Sequence, residues 1–174
     1  MDKNKKKNII FFSRSFYPYV GGVEKHVLEI SKKLIIKGFE VTVVTEQNSL
    51  DQMKNYLSSS ESAKFEGIQI YRIPTGSEGR MKKFRVWVKL LKYIRIIASA
   101  DIVHCHDIFY WYLPFRFLFP FKKVFTTFHG YEGNRVPGNK EILMHKISEK
   151  LSNGNICVGD FLKKHKIVGI EGLD

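Results

Sequence analysis

A three-layer, doubly wound α/β domain with a mostly parallel sheet is the fold that the sequence predicts, and three observations predict it. Short β-branched or aromatic runs alternate with amphipathic helical segments along nearly the whole chain. The hydrophobic fraction is 44%, and 174 residues suffice for a substantial core. The sequence has no internal repeat that would indicate another architecture. It also has no run of about 18 apolar residues, so we expect no transmembrane helix.

The first predicted unit is a strand, a glycine turn and a helix. Residues 8–13 form an apolar run with the length of one buried strand. After Gly21 and Gly22, apolar residues recur every three or four positions until Gly38, which is typical of a residue that ends a helix. The β-branched run at residues 39–45 then predicts the second strand of a right-handed βαβ unit.

The later elements follow from the same patterns. We interpret residues 47–66 as a long surface connection with a short helix near residues 51–57. The remaining predicted elements are strands at 67–73, 101–107, 123–128, 154–158 and 166–170, and helices at 80–98, 139–151 and 160–165.

The helix predicted at residues 80–98 is a candidate membrane surface. Its basic side chains are expected on one side and its apolar side chains on another. Such a helix can lie in the interface of an anionic membrane; alternatively, its apolar side packs on the sheet and its charges meet only water. The candidate membrane residues are Lys82, Arg85, Trp87, Lys89 and Lys92, and the apolar side comprises Phe84, Val88, Leu91 and Ile94.

An aromatic-rich segment follows at residues 109–123. Pro114 and Pro120 lie inside it, and we expect them to prevent one long helix. The segment either covers the sheet or exposes an apolar surface to a lipid or a membrane.

Charge and cysteine content limit the partners. The formal net charge is +12 and the pI is about 9.7, which favours an anionic partner such as nucleic acid, an acidic membrane or a phosphorylated small molecule. Nucleic acid is not expected, because aromatic and basic residues do not interleave on a strand face. Cys105 and Cys157 lie in apolar runs and predict neither a disulfide nor zinc, so we expect a reduced, cytosolic setting. Residues 1–7 are interpreted as a basic tail.

Polar residues follow successive predicted strands, and the carboxyl ends of parallel strands share one edge of a sheet. The turn at Gly21 and Gly22 would present backbone N–H groups at a helix N-terminus, which favours a phosphate; alternatively, it needs a positive φ and binds nothing. The residue types of His104, His106 and His129 suit zinc, but their pattern indicates it only weakly, and no metal is expected. The residues after the strands are Ser13, Arg14, Ser15, Glu46, His106, Asp107, His129 and Glu132.

Four blocks of sequence carry a resemblance to a known family. They are the segment 16–27, with Gly21-Gly22-Val23-Glu24; the segment 34–45; Asp101-Ile102-Val103-His104-Cys105-His106; and Thr126-Thr127-Phe128-His129-Gly130. In this order they resemble the N-terminal, acceptor-binding half of family 4 retaining glycosyltransferases. The resemblance implies a Rossmann-like domain that is one half of a GT-B architecture.

The resemblance also implies roles for residues. Gly21 and Gly22 would lie against the donor diphosphate or the transferred sugar, and His129 would contact the sugar at the reacting centre. The implied partners are a nucleotide-sugar and a glycan or lipid-linked acceptor, and no cofactor is implied. The residues expected to contact the acceptor are Tyr17, Glu24, His106, Asp107 and Glu132.

The same resemblance predicts the organisation of the chain. Residues 8–166 would form the N-terminal domain, and residues 167–174 would begin a linker to a donor-binding domain that we expect to be absent. The chain would then be half an enzyme, as a truncated gene product, an excised piece or one part of a naturally split enzyme, and inactive without a donor-binding partner. The alternative is a non-catalytic module that binds an anionic glycolipid or a protein. We expect a cytoplasmic location, peripheral on the inner face of a membrane.

Overall fold

The computed structural model describes residues 6–47, 62–76, 79, 81–130 and 138–158, and these contain seven strands and five helices. The strands are β1 (Asn8–Ser13), β2 (Glu40–Glu46), β3 (Ser62–Phe65), β4 (Ile68–Ile73), β5 (Ile102–His106), β6 (Lys123–Phe128) and β7 (Gly154–Cys157). The helices are α1 (Gly22–Ile36), α2 (Lys82–Leu91), α3 (Ile94–Ser99), α4 (Phe109–Leu118) and α5 (Asn139–Leu151).

The seven strands form one sheet in the order β3-β4-β2-β1-β5-β6-β7. All neighbouring strands are parallel except β3 and β4. The central strand β1 aligns Ile10 with Thr42 of β2 and with Val103 of β5. The predicted α/β fold with a mostly parallel sheet is therefore confirmed.

The two faces of the sheet have separate cores because successive side chains of a strand point to opposite faces. In β1, Ile10 and Phe12 belong to a core that includes buried residues of α2, α3 and α4. Ile9 and Phe11 belong to a second core, which includes Val27 of α1. Helices thus cover both faces of the sheet, which gives the three layers that the sequence predicted.

The antiparallel edge strand β3 was not predicted. It lies within residues 47–66, where the sequence pattern indicates a surface connection, and it pairs with β4 through a tight turn at Glu66 and Gly67. Both turn residues have positive φ angles, of 49° and 82°, a conformation that Gly adopts without strain and that suits a two-residue hairpin. Four residues of exposed and half-buried side chains give too weak an alternation to reveal such a strand.

The single helix predicted at residues 80–98 is two helices, α2 and α3. The backbone N–H groups of Lys92 and Tyr93 bond to carbonyls three residues earlier, which tightens the last turn of α2. Tyr93 is buried, and its ring centroid lies 5.1 Å from that of Tyr71 on β4. The break therefore places an aromatic ring on the sheet.

As expected, no single helix spans residues 109–123, because α4 ends at Leu118, two residues before Pro120. Pro114, however, lies inside α4 and does not interrupt it. A proline lacks the N–H that would bond to the carbonyl four residues earlier, here that of Tyr110. That carbonyl instead accepts the indole N–H of Trp87 at 2.7 Å, from the neighbouring helix α2. A partner on another helix thus replaces the missing bond.

Other predicted elements have mixed outcomes. The helix at residues 139–151 and the strand at residues 123–128 are confirmed with the same ends. The short helices predicted near 51–57 and at 160–165, the strand at 166–170 and the linker at 167–174 lie outside the described residues.

Candidate functional site

The glycine turn lies between β1 and α1, at the carboxyl edge of the sheet. Gly21 caps α1 with an extended backbone, and Gly22 is its first residue. Neither glycine has a positive φ, so the interpretation of the turn as one that needs this conformation is wrong. A Cβ on Gly21 would instead overlap the Glu24 carboxylate, whereas one on Gly22 would meet nothing within 4 Å.

Glu24 therefore lies against the N-terminus of α1. A carboxylate is favoured there because the helix dipole and the unpaired N–H groups of the first turn attract negative charge. Within the part of the chain that the structure describes, no side chain forms a hydrogen bond that caps this end of the helix. An anion that approached the glycine turn would meet both favourable N–H groups and the competing Glu24 carboxylate.

Three histidines converge at the same edge. His106 ends β5, His129 follows β6, and His26 lies in the first turns of α1. Nδ1 of His106 and Nε2 of His129 are 2.9 Å apart, so one ring donates a hydrogen bond to the other. The ring centroids of His26 and His129 are 5.0 Å apart, and one nitrogen from each of the three rings lies within 4.8 Å of the others. We call His26, His106 and His129 the histidine cluster.

His104 supports the histidine cluster without joining it. As predicted from the two-residue period, it faces the same side of the sheet as His106, and the two rings stack at 4.6 Å. Its Nε2 forms a hydrogen bond with the Thr127 hydroxyl at 2.7 Å. The structure therefore groups His26, rather than His104, with His106 and His129.

His104, His106 and His129 favour the neutral form. Burial, reinforced by neighbouring imidazoles, lowers the pKa of His104 and of His129 to about 4. Burial also lowers the pKa of His106 far below its usual value. A neutral imidazole offers one hydrogen-bond donor and one acceptor. Near neutral pH these rings can therefore bond to hydroxyl groups of a ligand without carrying charge.

Asp107 fixes the position of His129. It has a φ of 57°, which asparagine and aspartate adopt more readily than most residues, and its N–H donates to the Thr127 carbonyl. Its carboxylate accepts the backbone N–H of His129 at 2.9 Å. Burial raises the pKa of Asp107 to about 7, although the hydrogen bond from His129 acts in the opposite direction.

Tyr17 lies in the loop between β1 and α1. Its ring stacks on Phe65 of β3 with centroids 4.0 Å apart, and its carbonyl accepts a hydrogen bond from the buried Arg72 of β4. These contacts place Tyr17 toward the β3–β4 end of the sheet. Glu132, the other predicted acceptor residue near His129, lies outside the described residues.

A second cluster of polar side chains lies at the same edge of the sheet, where β1 and β2 end. Glu46 is buried, and its carboxylate lies 2.9 Å from Lys82 Nζ and 3.6 Å from Arg14 Nε. The Thr75 hydroxyl also donates to this carboxylate. The prediction that Lys82 belongs to an exposed membrane surface is therefore wrong, because its ammonium is buried in an ion pair.

The other candidate membrane residues have different environments. Lys89 and Lys92 are exposed, as expected. Arg85 is also exposed, and its guanidinium lies near Gly76. Trp87 is half-buried and binds Tyr110, so its indole N–H serves the contact between α2 and α4.

Sequence reasoning missed His26 and the pairing of Glu46 with Lys82. His26 stands four positions after Gly22, so one helical turn brings it back over the glycine turn, and this spacing was the available signal. No local signal links Glu46 to Lys82, because 36 positions separate them and only the packing of α2 on the sheet brings them together.

The fold and the convergent polar residues define the class of protein. It is a Rossmann-like α/β domain whose candidate site lies at the carboxyl edge of a parallel sheet. Residues 20–166 match the family model described as Glycosyltransferase Family 4. The chain therefore belongs to that family and is a glycosyltransferase domain, as the resemblance implied.

One curated relative is a protein of Homo sapiens that is named as a subunit of phosphatidylinositol N-acetylglucosaminyltransferase. It is 29% identical to this chain over 110 residues. The aligned region covers 62% of this chain and 21% of the human protein.

Among the described residues, no helix is both long enough and apolar enough to cross a membrane.

Proposed function

We propose that this domain binds the acceptor in a retaining glycosyltransferase, which moves a sugar from a nucleotide-sugar to a glycan or lipid-linked acceptor. The convergence of the histidine cluster beside the glycine turn carries this proposal. It brings three separate parts of the chain to one edge of the sheet. In open α/β sheets, ligands bind at this edge, and we assign it to the sugar substrates.

The glycine turn would face the donor diphosphate. Departure of a nucleoside diphosphate leaves negative charge, which backbone N–H groups at a helix N-terminus stabilise. Because the Glu24 carboxylate lies against Gly21, it must move aside for a phosphate to approach. We therefore assign Glu24 to the acceptor side, where its carboxylate would accept hydrogen bonds from sugar hydroxyls.

The histidine cluster would face the transferred sugar and the acceptor. His129, kept neutral by burial, would bond to a hydroxyl of the sugar at the reacting centre. His106 holds His129 from one side through their hydrogen bond, and Asp107 holds its backbone from another. We also retain as acceptor contacts Tyr17, in the loop that follows β1, and Glu132, which stands four positions after the last residue of β6 in the sequence.

The reaction needs a donor-binding unit, either on the same polypeptide or on a separate chain. The residues of the glycine turn and the histidine cluster cannot by themselves orient a nucleotide-sugar against an acceptor. The human relative is named as one subunit of a transferase whose name includes phosphatidylinositol. That name supports a lipid acceptor and a multi-part enzyme for this chain.

The test compares the 174-residue domain alone with the domain supplied with a donor-binding unit. We expect folding but no sugar transfer for the domain alone, and turnover when the donor-binding unit is added. Transfer by the isolated domain would contradict the need for a second unit. Failure of donor-binding units to bind the domain or restore turnover would favour a non-catalytic binding module.

A matched pair of histidine variants tests the site in the active assembly. His129→Ala should lower kcat/KM by about tenfold or more, because it removes a hydrogen bond to the reacting sugar. His145→Ala is the control, since His145 is also half-buried but stacks on Phe128 from α5. Equal activity of the two variants, at equal thermal stability, would exclude His129 from the reacting centre.

A further inference from the structure

Helix α2 presents an apolar stripe to solvent. Met81, Phe84, Val88 and Leu91 recur at three- and four-residue spacing and are 49–60% exposed. The side of α2 that packs on the sheet consists instead of Lys82, Val86 and Leu90, which are buried. The helix is therefore apolar on two sides, and only one of them is used by the core.

The neighbouring helix α4 ends in further exposed apolar side chains. Phe117 and Leu118 at its C-terminus are exposed, and Phe121, just beyond it, is 99% exposed. The bond from Trp87 to Tyr110 joins α2 directly to α4. We call Met81, Phe84, Val88, Leu91, Phe117, Leu118 and Phe121 the exposed apolar surface. Large apolar side chains left exposed on two neighbouring helices commonly mark a surface that contacts a partner.

Positive charge flanks this surface. Between residues 79 and 100 the sequence has seven Lys or Arg residues and no Asp or Glu. Lys83, Arg85, Lys89 and Lys92 are exposed on α2. Likewise, the segment 108–130 has no acidic residue but includes Arg116, Lys122 and Lys123. An occupant of this surface must therefore be apolar where the stripe lies and anionic around it.

We propose that the exposed apolar surface and its flanking lysines bind an anionic membrane, with α2 lying in the plane of the interface. A bilayer surface supplies both components, because acyl chains take up the apolar side chains and anionic headgroups attract the lysines. A second copy of the chain is disfavoured, since two such surfaces would bring like charges together. The ten residues of α2 are too few to span a bilayer.

This surface differs from the one expected from sequence. Lys82 is excluded because it is buried and paired with Glu46. The sequence left the apolar side of this helix either on the sheet or toward a membrane, and Phe84, Val88 and Leu91 of that side are exposed. The contact of Lys82 with Glu46 also places the start of α2 at the carboxyl edge of the sheet. If the proposed function holds, a lipid-linked acceptor would then lie in the membrane beside the candidate site.

Vesicle co-sedimentation tests the proposal without requiring turnover, so its outcome is independent of the proposed function. We expect binding to vesicles of phosphatidylcholine mixed with phosphatidylglycerol, weaker binding at high salt, and little binding to phosphatidylcholine alone. Equal binding to both vesicle types, or to neither, would overturn the proposal. A salt-stable oligomer in place of vesicle binding would also overturn it, in favour of a protein occupant.

Two pairs of variants locate the contact. Phe84→Gln with Leu91→Gln should weaken partitioning by about tenfold or more, because two half-exposed side chains no longer enter the acyl region. The matched control is Ile36→Gln with Leu143→Gln, which changes side chains that are 83% and 58% exposed on α1 and α5. If the control double variant loses as much binding as the α2 variant, the assignment to α2 is wrong.

The lysines are tested in the same way. Lys89→Gln with Lys92→Gln should weaken binding to the anionic vesicles by about tenfold and reduce its salt dependence. Lys33→Gln with Lys37→Gln, in the last turn and at the C-cap of α1, removes the same charge from another helix and should have a smaller effect. Equal losses from the two pairs would show that net charge alone, and not this surface, governs binding.

Discussion

Replacing Trp87 with phenylalanine should destabilise the domain through one specific hydrogen bond. The Trp87 indole N–H donates to the Tyr110 carbonyl at 2.7 Å. Inside α4 that carbonyl would normally accept the N–H four residues later, but this position is Pro114, which has no N–H. In the Trp87→Phe variant, the half-buried carbonyl loses its donor, so the variant should be less stable.

The size of the effect can be isolated with a second substitution. Loss of the donor should cost about 1–2 kcal/mol, and the smaller phenylalanine ring adds a packing loss of its own. Pro114→Ala supplies a backbone N–H that can bond to the Tyr110 carbonyl within α4. The cost of Trp87→Phe should therefore be smaller by about 1–2 kcal/mol in the Pro114→Ala background, because the packing loss is common to both backgrounds and cancels.

The assay is urea unfolding of the four proteins, followed by far-ultraviolet circular dichroism because tryptophan fluorescence would change with the substitution itself. Free energies of unfolding with similar m-values give the interaction energy of the double-mutant cycle. If Trp87→Phe costs the same in both backgrounds within about 0.5 kcal/mol, the hydrogen bond does not replace the bond that Pro114 prevents.

Two further predictions concern buried charge. Glu46→Gln should lower the free energy of unfolding by about 3 kcal/mol, because it leaves the buried Lys82 ammonium without its carboxylate. Lys82→Met should lower it by less, because Arg14 and Thr75 still contact the Glu46 carboxylate. If urea unfolding shows that Lys82→Met is the more destabilising of the two variants, this prediction is wrong. Acid should also destabilise the domain. The pKa of His104 and of His129 is lowered to about 4 in the folded domain, so as the pH falls below about 6.5 these two side chains bind protons only in the unfolded chain. Asp107, with its pKa raised to about 7, opposes this because its stabilisation is lost as the pH rises through 7, but it is one group against at least two. The urea concentration at the midpoint of unfolding should therefore be lower at about pH 5 than at about pH 7. An equal or higher midpoint at about pH 5 would contradict the conclusion that the folded domain keeps His104 and His129 neutral.

Much of the fold was predictable because its signals are local. The β-branched run of β2 and the periodic apolar residues of α1 identify a strand and a helix without reference to the rest of the chain. Alternation of such elements leaves few arrangements other than a parallel sheet covered by helices. The edge strand β3 escaped prediction because a short, solvent-exposed strand owes its existence to its pairing with β4, which is not a local property.

The candidate site was predictable only in part. Polar residues that follow strands had to share one edge, and His106, Asp107 and His129 do so. Which histidine completes the cluster was not determined by strand periodicity, because His26 comes from the helix that packs across the sheet. Its place in the cluster depends on the angle at which α1 leaves the glycine turn.

The sequence by itself determined the fold class, the family resemblance and the position of the glycine turn, since each depends on residue types at short spacing. Tertiary structure alone decided which side of α2 faces the core. Both sides of that helix carry apolar residues, so its periodicity does not distinguish them. The burial of Lys82 resolves the choice, because burying an ammonium is costly unless an opposite charge compensates it, and Glu46 of β2 supplies a carboxylate at 2.9 Å.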